Sequence, residues 1–322
     1  MPRHIESDHE EPLEDKTAAL ALHSKRTERQ QKQKTKRDRK RDAIMNLTKL
    51  PTELLIESLT YLKPSDVISF SRVNRRFRNL VDTHANVVGN SILHQRYTLF
   101  AQCFVLPKLL TDIDSSSRPL LFDEKRQEMI AIHRKPYQHV QPPDRFFVCT
   151  CLSCILAWNN LCVMLDFAHW QENLDTGEPL PIIKRGTSPE WNQELVRRNA
   201  HFVRLALQCP LWYARILEVH LNSTIRGIRR QSKNKGNKRK HVEMTDEDAA
   251  LGTDAFLSKP GADRDGLEFP YHRDIYYLLE AYLPNRYWKE GRWIYGTTID
   301  HERDLAYALR GITPSNPVAT TG

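Results

Sequence analysis

Three cysteines in one short segment are the side chains of this sequence best suited to chemistry. Cys149, Cys151 and Cys154 follow the spacing C-x-C-x-x-C, close enough for their thiolates to converge on one metal ion. Zinc takes four nitrogen or sulfur donors in a tetrahedron, so a site here needs one more ligand. Cys162 is a poor candidate, because it stands about 12 Å beyond Cys154 along a helix. Other candidates are His133, His139 and His169.

The same thiols have a purely structural interpretation. Cysteine is among the most buried residue types and packs as a small apolar side chain. Apolar residues at helical spacing predict a helix from Leu152 to Phe167, in which the thiols would pack beside Trp158 and Phe167. The sequence favours this interpretation over a zinc site, and no cofactor is predicted.

Two further motifs resemble parts of enzyme active sites, but each is incomplete. The triplet His272–Asp274 is similar to a protein-kinase catalytic loop, yet Leu279 stands where the metal-binding Asn belongs. We interpret the triplet as the polar start of a helix. His301 and the next residue are half of a zinc-protease motif whose second His would fall at Leu305. The sequence therefore predicts no catalytic residue and a protein that is not an enzyme.

A segment near the N-terminus has the pattern of three short helices. Pro51 suits the first position of a helix, and leucines then recur at the four- and three-residue spacing of one helical face. These are Leu55, Leu59 and Leu62. Pro64 starts a second helix, and a third begins near Asn74. Since a segment this short buries only about 60% or less of its unfolded surface, some of its apolar side chains must pack against something else.

This succession, from Leu50 through Pro64 to Phe77, resembles the F-box family. The resemblance implies that the missing cover comes from the adaptor subunit of an SCF-type cullin ubiquitin ligase. It also implies which residues form or support the adaptor-binding surface. They are Leu50, Pro51, Leu54, Leu55, Leu59, Leu62, Pro64 and Val67. Lys63 departs from the family, which often has Asp or another capping residue there, and weakens the start of the second helix.

The remainder of the chain is predicted to be one irregular, mostly helical domain, so the fold class is mainly α. Segments with helical periodicity are 92–110, 152–167, 191–207, 212–228 and 275–282. No leucine-rich or propeller repeat is visible. The segments Cys149–Cys162 and Leu165–Trp170 resemble fungal F-box proteins with uncharacterised helical C-terminal regions, a resemblance that implies a family but no specific function.

Charge is concentrated in two segments without apolar periodicity. Lys25–Arg41 carries ten Lys or Arg and two acids, a net charge of +8 that equals the excess of the whole chain of 322 residues. Arg229–Lys240 carries seven basic residues and no acid. We predict that both are disordered and act in nuclear import. The import candidates are Lys36, Arg37, Arg39, Lys40, Arg41, Lys238, Arg239 and Lys240.

These patterns predict six segments along the chain. They are a disordered basic segment (1–44), an F-box (45–90), a helical domain (91–228), a disordered basic and acidic insertion (229–266), the remainder of the helical domain (267–315) and a tail (316–322). Tyr282–Tyr295 is rich in aromatic residues and is either a recognition surface or, the favoured interpretation, part of the core. Without a signal segment or an apolar run near eighteen residues, we expect an intracellular protein, nuclear or cytoplasmic, with no membrane partner.

The function that these features predict is that of a substrate-recognition subunit. The F-box would bind the adaptor, and through it a cullin, while the helical domain would bind a protein target whose identity the sequence does not give. A nuclear scaffold or nucleic-acid-associated protein, in which the F-box acts outside a ligase, is the alternative. Sequence-specific nucleic-acid binding is disfavoured, because Lys25–Arg41 has no aromatic residue for stacking on bases.

Overall fold

A computed structural model describes residues 25–124, 126–128, 139–184, 186–233, 243–259, 273, 276, 286–290, 292–295 and 300–310. The described residues fall into two units, one ending at Leu54 and one beginning at Leu55. The helices are α1 (Lys25–Lys49), α2 (Thr52–Thr60), α3 (Pro64–Ser71), α4 (Arg75–Arg96), α5 (Thr98–Cys103), α6 (Arg118–Leu121), α7 (Leu152–His169), α8 (Gln171–Thr176), α9 (Glu190–Gln208), α10 (Pro210–Lys233), α11 (Asp246–Leu251) and α12 (His301–Arg310). Short 3-10 helices span Leu110–Asp112 and Ala255–Ser258, and the strands are β1 (Arg286–Lys289) and β2 (Arg292–Tyr295). The predicted mainly helical fold class is confirmed.

The first unit contains helix α1, in the segment predicted to be disordered. Its residues are mostly Lys, Arg, Gln and Glu, which are good helix formers, and it has no Gly or Pro to interrupt the helix. Residues 26 and 28–40 are exposed. The prediction of disorder was based on the missing apolar face, which agrees with the exposure of these residues, and disorder stays a prediction.

Three helices occupy the predicted F-box segment, in the predicted order. The N-cap of α4 is Asn74, whose side chain accepts a hydrogen bond from the Phe77 N–H at 2.8 Å. Helix α4 is longer than expected, with 22 residues that run to Arg96. The predicted boundary at residue 90 therefore falls inside a continuous helix. The predicted helix over 92–110 is instead divided into the end of α4, α5 and a 3-10 turn.

Helix α7 lies at the centre of the larger unit, where it packs against α9 and α10. By length and composition alone α7 could cross a membrane, which the sequence analysis did not expect of any segment. Within the fold, however, 67% of it is buried, as in the core helix of a globular domain. Its apolar residues, among them Trp158, Leu161 and Phe167, join those of α4, α9 and α10 in one continuous core.

A buried ion pair connects α7 to the distant residue Arg273. The Asp166 carboxylate accepts hydrogen bonds from Nε and Nη2 of Arg273, both at 2.9 Å, and from the Tyr276 hydroxyl at 2.8 Å. The Arg273 guanidinium lies over the rings of Trp170 and Trp191, 5.0 and 5.6 Å from their centroids. The triplet that resembles a kinase loop therefore places its arginine inside the core.

Part of the predicted disordered insertion is ordered. Arg229–Lys233 continues α10, and a capping box between Thr245 and Asp248 starts α11. Asp254 is buried, and its carboxylate accepts the Phe100 N–H at the start of α5 at 2.8 Å. Phe256 and Leu257 are also buried in the main core. The many charges of this segment predicted disorder, whereas its few buried apolar residues attach it to the core.

The aromatic-rich segment contains a β-hairpin, which the sequence analysis did not predict. Strands β1 and β2 are antiparallel, and Trp288 pairs with Trp293. Glu290, in the turn, has a positive φ of 52°. The described residues of this segment are limited to the hairpin backbone and Glu290, so the choice between core and recognition surface stays a prediction.

Candidate adaptor-binding surface and cysteine–histidine cluster

The three cysteines do converge, and they are joined by a histidine from the other end of the sequence. One ligand atom each from Cys149, Cys151, Cys154 and His301 lies within 4.8 Å of the others. His301 Nδ1 is 3.2 Å from Cys154 Sγ and 3.4 Å from Cys151 Sγ. The three cysteines are buried, and His301 is partly buried. This arrangement of donors is suited to binding a single metal ion.

The histidines predicted as fourth ligands are not the ones found in the cluster. His139 is buried against the ring of Tyr276, and His169 packs on Trp170. His133 lies outside the described residues, and Cys162 belongs to the main core. The sequence analysis missed His301 because it was assessed only within its own helix motif, and no local pattern links it to residues 147 positions earlier.

Charge in the cluster is shared unequally among the thiols. Hydrogen bonds from Cys151 and Cys154 lower the pKa of the Cys149 thiol, and the same contacts raise the pKa values of the Cys151 and Cys154 thiols. The buried guanidinium of Arg126 is close by and donates to Thr150 Oγ1 at 2.8 Å, between Cys149 and Cys151.

The residues predicted to form or support the adaptor-binding surface divide into two groups. Pro51 is exposed, Leu54 and Leu62 are 48% and 38% exposed, and Leu50 is partly buried. The remaining four are buried: Leu55, Leu59, Pro64 and Val67. The first group is available to a partner, whereas the second can only support it from within. Tyr61 and Val73, which were not predicted, are also exposed, at 62% and 68%.

Much of the cover for the three-helix segment comes from the same chain. Helix α10 packs against α3 and α4, and Val67, Val81 and Val88 are part of the main core. At Gly89 the helices are so close that a Cβ atom would lie 2.3 Å from Leu211 N. Part of the missing cover is therefore supplied by the same chain, and the residues that stay exposed are the ones that can contact a partner.

Helix α10 also supplies the capping hydrogen bonds that the N-terminus of α3 lacks. Lys63 is the N-cap of α3 and makes no side-chain capping bond. Glu218 of α10 takes over this role, because its carboxylate accepts hydrogen bonds from Ser65 N at 2.9 Å and from Ser65 Oγ at 2.6 Å. An acidic group at the first turn also interacts favourably with the helix dipole. The departure at Lys63 is therefore compensated by Glu218, which lies 153 positions after Ser65 in the sequence.

Comparison with protein families identifies this segment. Residues 47–88 match the family model of the F-box domain. This chain carries an F-box. In general, F-box domains connect substrate receptors, which are typically not catalytic, to the adaptor of SCF-type ubiquitin ligases. No significant match was found among curated proteins or among solved structures.

The basic residues predicted for nuclear import lie on both sides of the F-box in the sequence. Residues 36–40 of α1 are exposed, and Arg41 is in the same helix. Lys238, Arg239 and Lys240 lie outside the described residues. The structure therefore presents one of the two predicted basic segments as an exposed helix before the F-box.

Proposed function

We propose that this chain is the substrate-recognition subunit of an SCF-type cullin ubiquitin ligase. The F-box binds the adaptor, and the helical domain that follows it binds the protein target. The observation that carries the proposal is the F-box match at 47–88, within which Pro51, Leu54 and Leu62 remain exposed. Leu55, Leu59, Pro64 and Val67 are buried.

The exposed apolar residues are suited to contact with a partner protein. Full burial of a leucine that is exposed in the free chain stabilises an interface by about 1.5 to 3 kcal/mol. Leu55 and Leu59 form the buried face of α2, the helix that carries Leu54. A helix that is already held by buried side chains loses less entropy when a partner binds.

The connection between the F-box and the helical domain supports a receptor role. Helix α4 passes without a break from the F-box into that domain, and Gly89 and Glu218 tie α4 and α3 to α10. A target bound by the helical domain is thus held at a defined place relative to the adaptor. Holding the target near the subunit that transfers ubiquitin raises the effective concentration of the two reactants. The transfer itself is carried out by those other subunits.

Co-purification with the adaptor tests the first half of this proposal. Leu50→Asp, Pro51→Ala and Leu54→Asp should each reduce recovery of the adaptor and cullin, with the largest loss for the two charged substitutions. Ile182→Asp is the control, because Ile182 is 89% exposed in the helical domain and should leave recovery unchanged. Full recovery with Leu54→Asp and Leu50→Asp combined, in a chain with an unchanged melting temperature, contradicts adaptor binding through this surface.

Proximity labelling tests the second half. A target of the helical domain should be labelled by the wild-type chain and equally by Leu54→Asp, but should gain ubiquitin only with the wild type. If no protein is labelled by both chains, target binding by the helical domain is wrong even when the adaptor binds.

Helix α1 favours a second candidate function. Its basic residues are exposed, and we propose that they serve nuclear import and attraction to a polyanion such as nucleic acid, as in a nuclear scaffold. Binding to DNA or RNA should then weaken steeply with salt, and deletion of residues 25–41 should remove most of that dependence. Adaptor recovery without the cullin would support the scaffold, and salt-independent binding would contradict it.

A further inference from the structure

We propose that Cys149, Cys151, Cys154 and His301 together bind one zinc ion that fixes helix α12 to the rest of the fold. This site is separate from the F-box and from the proposed adaptor contact. It also revises the interpretation that the sequence favoured, in which the thiols are only small buried side chains.

Distances within the cluster fit tetrahedral coordination. Zinc bonds of about 2.3 Å to sulfur and 2.0 to 2.1 Å to nitrogen place sulfur and nitrogen about 3.5 Å apart in a tetrahedron. The two measured Sγ to Nδ1 distances are 3.2 and 3.4 Å, and all four ligand atoms lie within 4.8 Å of one another. Small shifts of the side chains are enough to bring the four ligand atoms to these distances.

The donor set selects the metal and its role. Three thiolates and one imidazole form the soft Cys₃His set that proteins use for structural zinc. Oxygen-seeking ions such as magnesium and calcium prefer carboxylate and carbonyl ligands instead. Four protein donors leave no open position for water or substrate, so the ion has a structural and not a catalytic role.

The groups around the sulfur atoms can stabilise the negative charge of metal-bound thiolates. The N–H groups of Lys108 and Cys151 point at Cys154 Sγ and Cys149 Sγ, each at 3.4 Å. Three thiolates and Zn²⁺ leave a net charge of about −1 in a buried place. The cation of Arg126, itself only 6% exposed, interacts with Cys149 and Cys151 and offsets that charge. Outer partners of this kind orient the ligands and tune their affinity for the metal.

Helix α12 presents His301 with its Nδ1 toward the sulfurs. The Ser153 hydroxyl, on α7, accepts the Asp300 N–H at 3.0 Å and donates to the Asp304 carboxylate, which fixes the first turn of α12. His301 Nε2 lies 3.9 Å from the carboxylate of Glu302. Coordination through Nδ1 requires the neutral imidazole that carries its proton on Nε2.

The position of the cluster explains what zinc does for the fold. Among the residues that the structure describes, five buried ones form this second apolar cluster, and three of them are the cysteines themselves. Ile113 and Leu121 are the other two, and α12 has no fully buried residue. Leu110, together with Leu305 of α12, packs against the cluster, and both are partly buried. Hydrophobic burial at this end of the molecule is therefore small, and a metal ion supplies the cross-link in its place.

The test begins with the metal content of the purified full-length chain. Wild-type protein should contain about one zinc ion per chain, and His301→Ala should weaken zinc binding by more than the 10- to 100-fold that loss of an outer partner costs. Cys162→Ala, a matched change of a buried cysteine outside the cluster, should retain the ion. Cobalt in place of zinc should give the visible bands of a tetrahedral thiolate complex.

A second measurement keeps the test decisive if a cysteine variant fails to fold. His301 is only partly buried and lies outside the main core, so His301→Ala should leave hydrogen exchange unchanged in α10 and in α7 beyond its first turn, which carries Cys154. A zinc chelator or His301→Ala should speed exchange in α12 at least tenfold. The proposal is overturned if the wild type binds neither zinc nor cobalt, if His301→Ala binds as tightly as the wild type, or if mass spectrometry shows a disulfide between cluster cysteines in chains purified from the cytosol.

Discussion

Two junctions within the larger unit hold distant parts of the sequence together by different means. At the F-box, α3 and α4 meet α10 across an apolar contact in which Gly89 allows backbone approach. At the other end, α12 meets α7 through Ser153, Asp304 and the cysteine–histidine cluster, with no fully buried residue of its own. A long helix can be fixed by burial, which is proportional to area, whereas a ten-residue helix with little apolar area depends on directional bonds.

The largest effect should come from breaking the ion pair in the main core. Asp166→Ala leaves the Arg273 guanidinium buried without its carboxylate and should lower the free energy of unfolding by about 3 to 5 kcal/mol. Urea denaturation followed by circular dichroism measures this loss. The control Asp246→Ala removes a partner of Arg229 that is 96% exposed, and should cost at most about 1 kcal/mol. Equal losses of stability in the two variants would show that burial does not set the strength of the Asp166–Arg273 ion pair.

A pH-dependent effect is expected where the insertion joins α5. Burial raises the pKa of Asp254 to about 6 from an ordinary value of 3.8. The folded chain then binds this proton more tightly than the unfolded chain. The contribution of protonated Asp254 to the free energy of unfolding is therefore complete below about pH 4 and is lost as pH rises through about 6.

Asp254→Asn keeps an acceptor oxygen for the Phe100 N–H but carries no charge. Relative to the wild type it should gain stability between about pH 4 and pH 7, by up to roughly 3 kcal/mol. Denaturation curves across this range provide the measurement. Wild-type and variant stabilities that change in parallel would show that Asp254 does not titrate in this window.

The close approach at Gly89 can be tested with a single methyl group. Gly89→Ala places a Cβ against the backbone of Pro210 and Leu211 and should cost about 1 to 3 kcal/mol through overpacking. Asn90→Ala, at the exposed neighbouring position of α4, should be neutral or slightly stabilising because alanine favours helix. A fully stable Gly89→Ala chain would mean that α4 and α10 can separate without loss, and the F-box would then be less firmly held than α12.

The smallest effect is expected at Ser153. Ser153→Ala removes the acceptor of the Asp300 N–H and the donor to Asp304, with a net cost of about 1 kcal/mol for each hydrogen bond. Hydrogen exchange should become faster in α12 and remain unchanged in α4 and α10. Ser232→Ala, which removes only a local bond to the Arg229 carbonyl, is the control. Unchanged exchange in α12 would assign its attachment to the cysteine–histidine cluster alone.

The sequence predicted more of the F-box than of the candidate metal site. Pro64, Asn74 and the leucine spacing all act within a few residues, so helix starts and order could be read locally. Helices α7, α9 and α10 were predicted for the same reason. The length of α4, the order of the insertion and the β-hairpin were missed, because each depends on contacts or turn geometry outside a local window. For the cysteine cluster, the spacing of three ligands was visible but the fourth was not.

The sequence by itself determined the helices and the F-box pattern, since propensity, caps and apolar spacing are properties of neighbouring residues. Only the tertiary structure decided which leucines stay exposed, that Glu218 caps α3, that Arg273 pairs with Asp166 and that His301 meets the cysteines. These pairings join residues more than a hundred positions apart. The packing of helices against one another brings such residues together, and the local sequence does not predict these contacts.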